Sequence, residues 1–274
     1  MKHLFDLHEK IIVITGAAGL LGAKHAEAVA EFGGRPILID INQKKVKDLS
    51  RDLNKKYGKV SEFYKVDITK ENQVKKNVKT LLSKFKHVDG LINNASINPN
   101  IKDFSKNKNL RIENFSLEDW NKSISVGLTG SFLCSKYYGK AISNNPNGGT
   151  IINISSDLGL IGPDQSLYEI KGLKKENQPV KPLVYSVVKS GLIGMTRYMS
   201  TYWPDKNVRV NAICPGGIED GQSKNFIKKV SSKIPLARMA RKDEYQGTII
   251  WMLSDASSYL NGSIVSVDGG RTSW

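Results

Sequence analysis

Cysteine is nearly missing from this chain. Only Cys134 and Cys214 occur, so neither a disulfide framework nor a cysteine-based zinc site can be built, and no metal centre is expected. Long hydrophobic runs are lacking as well, since no stretch approaches the ~20 apolar residues of a membrane span. The opening residues, Met1 to Lys10, carry charge too early and too often for a signal peptide, and a cytoplasmic location is expected. No linker, repeat or low-complexity stretch divides the 274 residues, which read as one domain, 1–274. Acid is scarce: 26 Asp+Glu face 41 Lys+Arg, a net charge of +15. Nucleic acid is the first partner that such a balance suggests. However, 33 of the 41 are lysines, spread over prospective helix surfaces such as 44–59 and 70–86 and mixed with acids. No recognition-helix or arginine–aromatic pattern accompanies them. The lysines read as a solvated surface, with no nucleic-acid and no membrane partner, and a positive surface favours an anionic small-molecule substrate.

Short apolar runs are present from end to end, alternating with amphipathic stretches. The runs are Ile11–Ile14, Pro36–Ile39, Phe63–Val66, Val88–Ile92, Thr150–Ile154, Val208–Ile213 and Ile264–Val267. Helical patterns lie between them, over Ala23–Phe32, Gln73–Phe85, Leu117–Ser143, Pro182–Trp203 and Lys242–Leu253. Strands apolar along their whole length predict an α/β fold, a seven-stranded parallel sheet with helices on both faces. Two connections exceed what such units need, near 97–115 and 162–181. Long loops after strand C-terminal ends are where open α/β sheets bind ligands; as plain surface insertions they would do nothing.

The first strand runs into Thr15-Gly16-Ala17-Ala18-Gly19-Leu20-Leu21-Gly22, and a helix follows at once. Glycines there let the backbone approach a pyrophosphate, and a helix N-terminus supplies N–H donors. The second strand ends at Asp40-Ile41. Asp40 lies 24 residues past Gly16, where a carboxylate accepts hydrogen bonds from a ribose 2′-hydroxyl and repels a 2′-phosphate, so NAD is expected ahead of NADP. Lys44 and Lys45 soften that preference. The alternative role for Asp40 is local, capping the next helix.

These residues resemble the short-chain dehydrogenase/reductase family, and the match runs along nearly the whole chain. Thr15, Gly16 and Gly22 match its glycine turn, with Leu20 at the middle glycine place and Gly19 one position early. Asp67-Ile68 resembles the adenine-contacting pair, and Asn93-Asn94-Ala95-Ser96 the Asn-Asn-Ala-Gly motif except at its last place. Pro215-Gly216-Gly217-Ile218 resembles the turn that contacts the nicotinamide, with Asp220 where a threonine often follows. The stretch from Ile234–Met239 to Val267–Gly270 looks like the closing strand and oligomer-contacting tail. The resemblance implies a Rossmann-type doubly wound domain, cofactor contacts at Gly16, Gly19, Leu20, Leu21, Gly22, Asp40, Ile41, Asp67, Ile68, Asn94, Ala95, Ser96, Tyr185, Lys189, Pro215, Gly216, Gly217 and Ile218, and a homodimer or homotetramer built through the two long helices. The glycine turn and the insertion before Tyr185 look similar to the flagellin-modification branch of the family.

The family's chemistry needs a tyrosine that exchanges a proton with substrate oxygen while hydride moves to or from nicotinamide. A free tyrosine titrates near ~10, and a lysine one helical turn away favours the phenolate. Tyr185-Ser186-Val187-Val188-Lys189 supplies that pair. Chance alone produces about one such spacing here, and a second does occur at Tyr202 and Lys206. Pro204 lies inside it and breaks the helix that would align the two side chains. Tyr168 has Gly172 four places on. Ser156, at the end of the fifth strand, corresponds to the catalytic serine, with Ser155 as the buried structural neighbour. Ser156 and Tyr185 are 29 residues apart, more than the family's usual dozen or so, and the 162–181 insertion accounts for the excess. One departure touches the proton relay: Gly127 stands where many members carry an asparagine.

The expected activity is hydride transfer between NAD and a secondary alcohol or ketone of a sugar, sugar phosphate or nucleotide sugar. Lys171, Lys174, Lys175 and Lys181 in one loop, with Lys102, Lys106, Lys108 and Arg111 in the other, could frame an anionic group. The rival reading is a dinucleotide-binding sensor or scaffold of the same fold, weakened in catalysis at Leu20, Ser96 and Gly127.

Overall fold

The first strand, β1 (Ile11–Thr15), is buried at every position. Its neighbours on either side are β2 (Arg35–Asp40) and β4 (Gly90–Asn93), both parallel to it. The computed structural model of the chain describes residues 2–98 and 110–274. It contains one sheet of seven strands in the order β3-β2-β1-β4-β5-β6-β7, with β3 spanning Glu62–Lys65, β5 Gly149–Ile154, β6 Val208–Pro215 and β7 Ile264–Val267. All seven apolar runs are strands.

Strand periodicity explains why those runs are apolar throughout. Ile11, Val13, Ile37, Ile39, Leu91, Ile151, Val208 and Val210 face one core with α3 (Glu71–Phe85) and α5 (Gly130–Ile142). The alternate residues Ile12, Ile14, Leu38, Ile92, Ile152, Ile154 and Ile213 face a second core with α1 (Leu20–Glu31), α2 (Gln43–Tyr57) and α8 (Gln246–Leu253). A sheet covered on both sides has no polar face to give an alternating pattern.

The expected helix over Leu117–Ser143 is α4 (Leu117–Ile124) and α5 joined by one π-helical stretch, Ser125–Thr129. The expected Pro182–Trp203 helix is α6 (Leu183–Ser200). Lys242–Tyr245 forms a turn ahead of α8, because the Glu244 carboxylate accepts the Arg241 N–H at 2.8 Å. Helix α7 (Lys224–Ser231) had no counterpart in the sequence pattern. It packs Val230, Phe226 and Ile227 on Leu167 and Tyr168 of the long insertion, forming a third, small core. Among the described residues no helix is long and apolar enough to cross a membrane, and no cluster of His, Cys, Asp or Glu could hold a metal ion. Lys102, Lys106 and Lys108 lie outside the described residues.

Candidate active site

Strand order reverses between β1 and β4, so the connections leaving their C-terminal ends diverge and open a crevice. The glycine turn sits at its edge. Gly16 has φ +61, and a Cβ there would lie 2.8 Å from Ala95 Cα. A Cβ on Gly22 would lie 2.3 Å from Gly16 O, so only glycine allows α1 to pack this close to the turn. Gly19 starts the helix without any side-chain cap, leaving first-turn N–H groups available to an anion. Leu20, at the family's middle glycine place, turns its side chain to solvent and is 39% exposed. Asn94 Nδ2 donates to the carbonyls of Thr15 and Gly16, both at 3.0 Å, while Thr15 Oγ1 accepts the N–H groups of Asn94 and Ala95. This staple between β1 and β4 shapes the crevice. Asn94 therefore has a bracing job beside any contact with a ligand, and Ser96 follows it out of the sheet.

Asp40 also braces. Its carboxylate accepts Ala18 N–H at 3.0 Å and Asn42 N–H at 2.8 Å. The cap of α2 is Asn42, not Asp40. A carboxylate has about four acceptor sites, so Asp40 retains capacity for ribose hydroxyls beside Ile41, which is exposed. Asp67 turns the chain into α3 through Thr69, and Ile68 is buried in the core against Gly130. Across the crevice Pro215 ends β6. Gly216 is pressed on Asp268, where a Cβ would lie 2.8 Å from Cα, and Gly217 and Ile218 pair with Ala240. These glycines and carboxylates suit a dinucleotide: the turn is tight, its helix start uncapped, and the acidic residue stands at the second strand's end.

Ser156 leaves β5, and Tyr185 and Lys189 share one face of α6. Lys189 is buried, and its Nζ donates to Ile154 O at 2.8 Å and lies 5.6 Å from the Tyr185 ring centroid. Ser155 Oγ donates to Lys189 O, and Ser190 Oγ to Gly159 O, so the loop after β5 is stitched to α6. Ser156 Oγ donates to Asp157 Oδ1 at 2.7 Å and accepts Leu158 N–H. Burial pushes the Tyr185 phenol up to about 12; Ser156 pulls it down and the Asp157 carboxylate pushes it further up. The same burial brings Lys189 down to about 8. The lysine was expected to depress the phenol, yet in the chain alone desolvation wins, and the phenol is a proton donor at neutral pH.

Gly127 also has its explanation here. A Cβ on it would lie 2.4 Å from Val188 Cγ1, so the residue preceding Lys189 occupies the space a side chain would need. Two residues passed over in sequence complete the floor. Asp157 is ion-paired with Arg271 at 2.8 Å, both nearly inaccessible. An acid directly after Ser156 was a visible signal; its partner, 114 positions on, was not. The decoy pair behaves otherwise: Tyr202 and Lys206 sit in turns after α6, and Lys206 meets Asp205.

The insertion folds over the site. Arg111 reaches it from the other long loop, donating to the carbonyls of Lys175 at 3.3 Å and Gln178 at 3.4 Å. From the far side Lys229 of α7 donates to Ser166 O and Glu169 O, and Lys233 pairs with Asp164. Between the loops and α6 lies a cavity of about 580 Å³, lined by Arg111, Leu158, Gln165, Lys181 and Ser186 among others. Lys171, Lys174 and Lys175 are exposed; of the insertion's four lysines only Lys181 is buried.

Known proteins share this architecture. Residues 16–272 match the family described as enoyl-(acyl carrier protein) reductase. An uncharacterized oxidoreductase of Thermotoga maritima is 33% identical over 275 residues, covering 96% of this chain and 97% of that protein. An NADP-dependent mannitol dehydrogenase of Alternaria alternata is 31% identical, covering 98% and 95%. A short-chain dehydrogenase of Leptospira borgpetersenii, solved with bound NAD+, superposes with a TM-score of 0.83 at 29% identity over 97% of this chain and 94% of that one. With a matching family over most of its length, relatives above 30% identity and the seven-stranded fold, this chain belongs to the short-chain dehydrogenases/reductases, nicotinamide-dependent oxidoreductases acting on CH–OH groups.

Proposed function

We propose that the chain is a cytosolic, NAD-preferring oxidoreductase that interconverts a secondary alcohol and a ketone on an anionic sugar derivative, a sugar phosphate or nucleotide sugar. The observation that carries this reading is the convergence of Ser156, Tyr185 and Lys189 beside the β1/β4 crevice, under a loop that ends in a buried lysine. When bound, a nicotinamide supplies or accepts the hydride. The residues that would hold it are Gly16, Gly19, Leu20, Leu21 and Gly22 at the pyrophosphate, Asp40 and Ile41 at the ribose, and Asp67, Ile68, Asn94, Ala95 and Ser96 along the adenosine side. Pro215, Gly216, Gly217 and Ile218, with Tyr185 and Lys189, serve its reactive end. Relatives lean towards NADP, two mannitol dehydrogenases being NADP-dependent and a gluconate 5-dehydrogenase being solved with NADP, against one solved with NAD+; the acid at Asp40 is what supports NAD here.

In the reducing direction the Tyr185 phenol donates its proton to the carbonyl oxygen, and in oxidation it takes the hydroxyl's proton. Ser156 holds that oxygen by turning its hydroxyl from Asp157 Oδ1 to the substrate, its own oxygen fixed by Leu158 N–H. Lys189, brought to about 8 by burial, stands ready to return a proton to Tyr185 near neutral pH. Its anchor is the Ile154 carbonyl, which positions it whatever stands at residue 127. The glycine turn and the insertion before Tyr185 also support placement near the flagellin-modification branch. Exposed Leu117 and Phe132 on α4 and α5, and Tyr198 on α6, support assembly through those helices into a dimer or tetramer; a particle of monomer mass by sedimentation would sink that assignment.

The test is reduced-cofactor formation with NAD and then NADP across free sugars, sugar phosphates and nucleotide sugars, with Tyr185→Phe alongside. Turnover with NAD, at least about a hundredfold lower in the variant, is the expected result. Tight binding of NADH with no turnover on any substrate would favour the sensor or scaffold role instead.

A further inference from the structure

The chain holds a second buried ammonium at the site that the chemistry above does not use. Lys181 ends the insertion, two residues before α6, and only 7% of it is exposed. Its Nζ lies 3.7 Å from the Tyr185 ring centroid, closer than that of Lys189. It donates to one neutral acceptor, Asn98 Oδ1, at 2.8 Å. Its backbone is clamped: Lys181 N–H donates to Gln165 Oε1 at 2.9 Å, and Gln165 Nε2 returns a bond to Lys181 O at 3.3 Å. Those bonds fix where the side chain starts, and the bond to Asn98 fixes where its ammonium ends.

No ion pair to Lys181 exists among the described residues. The acid that acts on it from the site floor is Asp157, whose oxygens are already taken by Ser156, Leu158 N–H and Arg271. Burial brings the Lys181 ammonium down to about 7, and Lys189 pushes it the same way. A buried cation with only an amide oxygen and a phenol ring for company, and no counter-charge among the described residues, is unfavourable for the fold alone. Ser186 also lines the cavity that Lys181 lines, and its hydroxyl is buried and has no hydrogen-bond partner. Arg111, the other cation on that wall, is committed to the carbonyls of Lys175 and Gln178. Lys181, held by one amide oxygen and set over the Tyr185 ring, and Ser186, without a partner, are thus two donors with bonds to spare among the residues that line one cavity.

We propose that Lys181 determines substrate specificity by receiving an anionic oxygen group, carboxylate or phosphate, carried close to the reacting carbon, with the Ser186 hydroxyl as second donor. This rests on the oxidoreductase reading of Tyr185 and narrows it: a distant anionic group, such as the diphosphate of a nucleotide sugar reacting far along its ring, would not reach. The exposed insertion lysines play no part in recognition.

Three probes on one six-carbon skeleton separate the possibilities: D-mannitol, neutral; D-mannonate, with a carboxylate; and D-mannitol 1-phosphate. Each is measured by turnover and by its effect on the fluorescence of enzyme-bound NADH, which needs no reaction. Wild-type protein is compared with Lys181→Met, Lys181→Arg and the exposed control Lys174→Ala, all checked for folding by thermal unfolding. The expected result is preference of the wild-type protein for one charged probe over mannitol. Lys181→Met then loses about tenfold or more in affinity and kcat/KM for that probe, as befits a lost charge-assisted hydrogen bond, while mannitol changes little. Lys181→Arg retains most of the preference and Lys174→Ala all of it. Which charged probe wins assigns carboxylate or phosphate. An equal loss for charged and neutral probes in Lys181→Met overturns the proposal, and so does wild-type protein that binds neither charged probe better than mannitol. Lys181-dependent binding of a charged probe with no Tyr185-dependent turnover would instead remove the oxidoreductase reading and leave the anion pocket standing.

Discussion

His25 shows how much a single side chain can be made to tolerate. It lies fully inside α1's buried face, and neither ring nitrogen has a partner. Burial drops its pKa from 6.5 to about 3, so the folded protein keeps it neutral where the unfolded chain would protonate it. Between pH 3 and 6.5 the unfolded state therefore binds more protons, and stability falls as pH falls across that window, by roughly 1.4 kcal/mol per pH unit from this residue. Above 6.5 the residue adds no pH dependence. His25→Leu should flatten that part of the acid limb in urea unfolding measured from neutral to acidic pH; an unchanged limb would show that His25 takes up its proton in the folded state. Local pattern was a partial guide at this scale. That Ser156, Tyr185 and Lys189 would lie together was legible because their spacing and neighbours repeat a known arrangement. Lys181 was one lysine among 33, and nothing in its immediate sequence distinguishes it from Lys174 or Lys175. Only the packing of the insertion on α6 makes it different.

At the scale of elements, the strands were readable because burial on two faces leaves no choice of residue type. Helix α7 was not, since eight residues with three apolar positions hardly define a period; its cap, Ser223 Oγ accepting Phe226 N–H, was the available signal. The pairing of polar residues inside the sheet was also missed. Asn93 and Asn153 face each other in register on β4 and β5, and Asn93 Nδ2 donates to Asn153 Oδ1 and Ser135 Oγ, tying two strands to α5. Asn153 passes the network on to Thr196 of α6, the helix that carries the tyrosine. Helix packing also governs Gly127. Gly127→Asn should destabilise the protein by about 1–3 kcal/mol through its clash with Val188, and adding Val188→Ala should recover part of that loss. The comparison is by urea unfolding of the two single variants and the double; strict additivity would mean that the two positions do not share one space.

For the whole molecule, the Asp157–Arg271 pair fastens the segment after β7 under Ser156. Truncating one partner of a buried pair strands the other, at about 3–5 kcal/mol. Arg271→Ala should lose stability of that order and, because Asp157 also holds Ser156, should lower kcat more than it raises KM for the cofactor. Stability within about 0.5 kcal/mol of the wild type would show that the pair is not closed in solution. The sheet order has a kinetic counterpart. Strands β1 and β4 are adjacent in space yet separated by two complete strand–helix units, and the bond from Asn94 to Thr15 closes a loop of 79 residues. Such distant pairings cost chain entropy before they return any contact, and folds built on them form slowly. The glycine turn can hold its shape only after that closure. During folding the nucleotide crevice therefore cannot precede the docking of β4 on β1, and a nucleotide that recognises it captures molecules already past that step rather than guiding them to it.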